Sequence, residues 1–202
     1  MSPIYLFLST AVTALAVENP VFARALGLER ETMFMKSARA GILLGVALTW
    51  MTTASSLFVV VVNHLLLVLG AGQITLIRPL LYLLGVVIVH ILTVRVILQM
   101  IGFFAPYKSR LEEALPVATF NTALFGAFYI SVSQNFGFLQ TIGYALGTGV
   151  GYTIAILIIY FARKRLALCP VPRSFRGLPI LLVYLGLMSL ALYGIIGRAL
   201  PT

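Results

Sequence analysis

The sequence predicts an all-α integral membrane protein with six transmembrane helices in a single domain, 1–202. It further predicts a 3+3 inverted repeat, with halves at about 1–103 and 104–202 and with the first and fourth helices broken. Three observations carry this. Of the 202 residues, 61% are hydrophobic and 9% charged, whereas charged residues make up about a quarter of a soluble globular domain. Six apolar runs approach the roughly 20 residues that cross a bilayer. Basic residues gather in alternate connections between these runs.

The first span is expected at about 3–26. Its start, Ile4 to Ala14 followed by Ala14-Leu15-Ala16, resembles a cleavable signal peptide, but no Lys or Arg precedes it, so it reads as a spanning helix. The other five are expected at about 40–66, 78–102, 114–132, 137–161 and 178–197. Connections after the first, third and fifth spans hold Arg30, Lys36 and Arg39, then Lys108 and Arg110, then Arg163, Lys164, Arg165, Arg173 and Arg176. The other side has little beyond Arg78 and Arg198. The positive-inside rule then puts the odd-numbered connections in the cytoplasm and both termini on the non-cytoplasmic side.

A net charge of +9 would point to nucleic acid in a soluble domain; here the same charge is a topology signal, and no nucleic-acid partner is expected. One cysteine, Cys169, excludes an internal disulfide framework and any multi-thiolate metal site made by this chain alone.

Two odd-numbered sets of spans would sit with opposite orientation. Asn19 is followed by Gly41, Gly45 and Thr49, and Asn121 by Ala145, Gly149 and Thr153, with the same four-residue spacing. In each half an Asn lies near a proline, Pro20 or Pro116, which removes a helical amide. Two readings follow. Paired broken helices point to a binding or translocation site at midplane, with Asn19, Asn121 and Thr122 as candidates for an ion or polar path. Alternatively, Pro20 and Pro116 occupy first turns of helices and Asn19 is a cap.

Gly143, Gly147 and Gly151 repeat every fourth residue and form a helix-packing face where another backbone can approach closely. Glu18 lies near or within the first span, and Arg95 lies inside the third, close enough to its end to snorkel. His64 and His90 have no acidic partner at helical spacing, and neither reads as a metal ligand. With no Asp, five Glu, two His and no nucleophile or nucleotide motif, the chain offers no catalytic constellation.

Leu115-Pro116 through Asn121 to Gly126, Leu26-Gly27-Leu28 after Glu18-Asn19, the Gly-rich fifth span, and Val171 to Pro179 leading to Gly186-Leu187-Met188-Ser189-Leu190 together resemble the Rnf/Nqr membrane-subunit family. The likeness covers nearly the whole chain, is clearest from Leu115 onward, and is only topological between Thr52 and Pro106. The resemblance implies six spans, broken first and fourth helices, inverted symmetry, and a place in the inner membrane of a prokaryote. It also implies partners: a homologous membrane subunit of opposite orientation, other Rnf/Nqr-type subunits, and the lipid bilayer around them.

One departure bears on function. In the family a cysteine follows Leu-Gly-Leu and another follows the Asn of the fourth span, and with two from a sibling subunit they hold an iron-sulfur cluster. Here those positions are Glu29 and Thr122, which supply no sulfur. No cofactor is therefore expected on this chain alone, and the family's covalent flavin attachment motif is missing as well. The expected function is a non-catalytic, multi-pass subunit of a Rnf/Nqr-like ion-translocating electron transport complex, packing on its sibling through the Gly143/Gly147/Gly151 face. The alternatives are a stand-alone inverted-repeat transporter or channel and a structural assembly subunit.

Overall fold

The computed structural model describes residues 2–28, 37–68, 78–97 and 105–196, and every regular element among them is helical. Helix α1 (Pro3–Val12) opens at Ser2, whose hydroxyl accepts the Tyr5 amide; Pro3 sits where a helix has no use for its own amide. The helix widens into a π-helical stretch, Thr13–Val17, closed by the Glu18 amide on the Thr13 carbonyl at 2.7 Å.

The first span thus stops well short of the expected residue 26. The reason is local: a residue preceding proline is pushed out of the α region, and the Asn19 side chain takes over backbone partners. Its Nδ2 donates to the Leu15 carbonyl at 3.0 Å while its Oδ1 accepts the Val21 and Phe22 amides at 3.0 and 3.2 Å. Asn19 is therefore a cap. It starts a tight turn that ends at two left-handed residues, Ala25 (φ 52°) and Gly27 (φ 82°).

Next come α2 (Ala38–Val68), α3 (Arg78–Leu92) with a π-helical extension Thr93–Ile97, α4 (Ala105–Thr119), α5 (Thr122–Ser133), α6 (Phe138–Leu166) and α7 (Leu178–Ile196). Four helical stretches, Ala38–Val68, Arg78–Val96, Phe138–Leu166 and Leu178–Ile195, are long and apolar enough to cross a bilayer. Arg110–Thr119 and Thr122–Ser133 form a fifth crossing bent by 49°, and Pro3–Val17 is apolar but shorter. The protein is an all-helical, multi-pass membrane protein.

The break in the fourth span lies at Phe120–Asn121, not at Pro116. Pro116 is inside the last turn of α4, so its reading as a first-turn residue is wrong. The helix runs on past it because only one intrahelical donor is lost, and the Pro116 carbonyl still accepts the Phe120 amide at 3.2 Å. What ends α4 is Asn121, held in an extended conformation with its Oδ1 on the Ala123 amide at 2.8 Å, which makes it the N-cap of α5.

The centre of the molecule is the crossing of α2 and α6, against which α1 packs on α6, α4 packs on α2, and α5 packs on both. At the crossing the contact is reciprocal. A Cβ on Gly45 would overlap the Thr153 side chain, and one on Gly149 would overlap that of Thr49. Each threonine in turn donates to the glycine carbonyl one turn back, Thr49 to Gly45 at 2.7 Å and Thr153 to Gly149 at 2.8 Å, so neither hydroxyl is stranded in the apolar contact.

Gly143, Gly147 and Gly151 face α1. Added Cβ atoms there would meet the carbonyl oxygens of Phe7, Ala11 and Leu15. This corrects the expectation that the face receives a second subunit, because the chain's own first helix covers it. Among the described helices α7 is the most peripheral crossing, anchored by Leu181 and Leu185 and by the Ser189 hydroxyl, which donates to the Phe22 carbonyl at 2.6 Å.

Candidate functional site

The two interrupted segments meet at Gly27. Its amide donates to the Thr122 hydroxyl at 2.8 Å, and its carbonyl accepts the Tyr152 hydroxyl at 3.2 Å. Tyr152 Oη in turn accepts Asn121 Nδ2 at 3.0 Å. Gly27, Tyr152, Asn121 and Thr122 thereby close a ring that joins the end of the first broken segment, the N-terminus of α5 and the middle of α6. Asn121 and Tyr152 are almost wholly buried, and burial is what makes completeness matter: a buried polar group with no partner costs ~1–3 kcal/mol.

Each member is placed by its own stretch of chain. Gly27 has to be glycine, since φ of 82° is a left-handed conformation and a Cβ would lie 2.6 Å from Tyr152 Cε2 and 2.8 Å from Asn121 Oδ1. Asn121 spends its oxygen on the α5 cap and its nitrogen on Tyr152. Thr122 is the first residue of α5, where amides still lack intrahelical partners.

A second polar group involves Tyr144, about two turns before Tyr152 on α6. Glu18 Oε2 accepts the Tyr144 hydroxyl at 2.8 Å and pairs with Arg24 at 3.2 Å. Glu18 is thereby tied to α6 in the same way as Gly27, through a tyrosine.

The structure brings Asn121 and Thr122 together, and it puts Asn19 one position away along α6, beside Gly151. Glu29 lies outside the described residues. His90 Nδ1 is 2.7 Å from the Thr119 hydroxyl, His64 is exposed, and Arg95 is exposed on the π-helical end of the third span. Tyr152 is the member that sequence reasoning missed. A signal existed: a tyrosine in the middle of a glycine-rich span must find a partner for its hydroxyl.

The donor set does not fit an iron-sulfur cluster. Around Gly27 it consists of a hydroxyl, a carboxamide and a phenol, and an iron-sulfur cluster is held chiefly by thiolates. The Thr122 oxygen already accepts the Gly27 amide. Cys169 is exposed in the connection between α6 and α7, at the ends of those helices. Among the described residues no group of three His, Cys, Asp or Glu side chains converges as a metal site would require.

The family described as "Rnf-Nqr subunit, membrane protein" matches residues 7–198. Among curated proteins, the chain is similar to the A-type subunit of the ion-translocating oxidoreductase complex of Syntrophotalea carbinolica, 31% identical over 191 residues, which is 92% of this chain and 94% of that protein. It is likewise similar to the corresponding proteins of Azoarcus sp., 32% identical over 195 residues with 95% of each chain covered, and Pectobacterium atrosepticum, 32% identical over 191 residues with 92% and 94% covered.

Proposed function

The chain belongs to the Rnf-Nqr family of membrane subunits, and from that membership we propose that it is a multi-pass subunit of a Rnf/Nqr-like ion-translocating electron transport complex that supplies no cluster ligand of its own. The observation that carries this reading is the bond from the Gly27 amide to the Thr122 hydroxyl. At the family's ligand position in the fourth span, this chain has a group that closes the junction between two broken helices instead of binding iron.

In this reading the two halves, about 1–103 and 104–202, are inverted copies. The reciprocal Gly45–Thr153 and Gly149–Thr49 contacts support it, as does the exchange by which α1 packs on α6 while α4 packs on α2. The chain sits in a prokaryotic inner membrane with both termini outside, beside a homologous subunit of opposite orientation. Asn19, Asn121 and Thr122 serve as fixed polar groups at the two breaks, each used to hold backbone in place.

The test is mild-detergent purification at native expression level, followed by identification of copurifying subunits and by iron and acid-labile sulfide analysis. Redox subunits are expected to copurify, with no iron on this chain when it is stripped from them. Recovery of the chain alone, able to carry a cation or small solute in proteoliposomes, would overturn the complex reading in favour of a stand-alone transporter.

A further inference from the structure

We propose that the connection between α6 and α7 forms a site for the phosphate-bearing headgroup of an anionic phospholipid. A cavity of about 420 Å³ opens between the C-terminal end of α6 and the first turn of α7, lined by Arg163, Leu166, Cys169, Arg176, Ile180 and Leu181 among others. Among the described residues that line it, every charged side chain is basic. Residues 163–176 include Arg163, Lys164, Arg165, Arg173 and Arg176 and no Asp or Glu, and no acidic residue stands in the first turn of α7.

The two cations that line the cavity are both arginines. Arg176 is directed by its own Nε, which donates to the Val171 carbonyl at 2.9 Å. Lys164 is not among the lining residues, and its ammonium lies 4.8 Å from the centre of the Tyr160 ring. A planar guanidinium matches the oxygens of a phosphate better than an ammonium does. The start of α7 adds the positive end of a 19-residue helix. Gly177, at φ of 86°, has no atom within 4 Å of where a Cβ would stand, so the approach past it is open.

Lipid is favoured over a soluble anion by the opposite wall and by the depth. Leu166, Ile180 and Leu181 give the cavity an apolar side, and it lies where two membrane-crossing stretches, Phe138–Leu166 and Leu178–Ile195, both end. A phosphodiester headgroup with its glycerol and the start of its acyl chains presents charge on one side and hydrocarbon on the other at that level. Basic pockets between spanning helices bind such headgroups.

Cys169, the single cysteine in the chain, lines the cavity and reports on it. The experiment alkylates Cys169 with an uncharged maleimide in the full-length protein, in nanodiscs of phosphatidylcholine alone or mixed with phosphatidylglycerol. The expected result is slower labelling in the anionic discs. In Arg163→Gln or Arg176→Gln the protecting lipid should bind about five-fold more weakly per guanidinium lost, while a charge-matched Lys164→Gln/Arg173→Gln control keeps the protection.

Equal labelling in both lipids would overturn the proposal, as would equal loss of protection in the Arg163→Gln/Arg176→Gln double variant and the control, which would mean diffuse surface charge. Protection by inorganic phosphate in phosphatidylcholine discs would also overturn it, in favour of a soluble anion. Native mass spectrometry of the unmodified protein gives a readout that needs no variant: phosphatidylglycerol must stay bound where phosphatidylcholine does not.

Discussion

The Thr122 hydroxyl lies 2.8 Å from the Gly27 amide nitrogen, across 95 positions of sequence. Thr122→Val keeps the shape of the side chain and removes the acceptor, leaving a backbone amide without its partner. The expected loss is ~1–3 kcal/mol, read as a lower Tm in detergent, at roughly 2–4 °C per kcal/mol for a chain of this size. Thr122→Ser should stay close to the parent. A Thr122→Val protein as stable as the parent would mean that the junction is not held by this bond.

Tyr152 and Thr122 hold the two ends of one residue, so their contributions should couple. Tyr152→Phe loses the bond to the Gly27 carbonyl and the one from Asn121 Nδ2, at a similar expected cost of ~1–3 kcal/mol. Combined with Thr122→Val, the double variant should lose measurably less than the sum, because a junction already opened has less to lose. Simple additivity would show that the four residues do not act as a unit.

Gly27 and Gly177 separate conformation from packing. Both have positive φ, 82° and 86°, yet a Cβ on Gly27 would run into Tyr152 and Asn121 whereas one on Gly177 would meet nothing. Gly177→Ala should therefore cost only the left-handed backbone term, ~1–2 kcal/mol. Gly27→Ala should cost clearly more, and comparing their Tm values isolates the part due to the ring.

The face of α6 toward α1 gives a similar contrast. Gly147→Val drives a side chain into the Ala11 carbonyl and should destabilise by ~1–3 kcal/mol through overpacking. Gly186→Val, on a helix with open space at that point, should stay within about 0.5 kcal/mol. Protease sensitivity near residues 13–18 is the direct check that α1 has been displaced. Equal behaviour of the two variants would mean that α1 does not depend on close approach to α6.

The all-helical, multi-pass architecture could be read from composition and run length because each is a property of short windows: long apolar runs give membrane helices whatever they pack against. Asn19 and Asn121 stood out for the same reason, since an amide within an apolar run needs partners wherever it lies. The position of the break in the fourth span could not be read off Pro116, because a proline removes one donor while the cap at Asn121 ends a helix. The ring around Gly27 was out of reach for another reason. It joins residues 95 and 125 positions apart, and no local pattern encodes which hydroxyl meets which peptide.

The crossing of α2 and α6 also sets an order of events during synthesis. Gly45 and Thr49 emerge from the ribosome about 100 residues before Gly149 and Thr153, a delay of roughly 5–20 s at common elongation rates. Until then α2 has no counterpart for its small-residue face, and α1 has no glycine surface to lie on. The second and third spans can already join through Trp50 and Thr93 and through Tyr82 and Asn63, but the contact at the centre of the molecule forms only when α6 arrives.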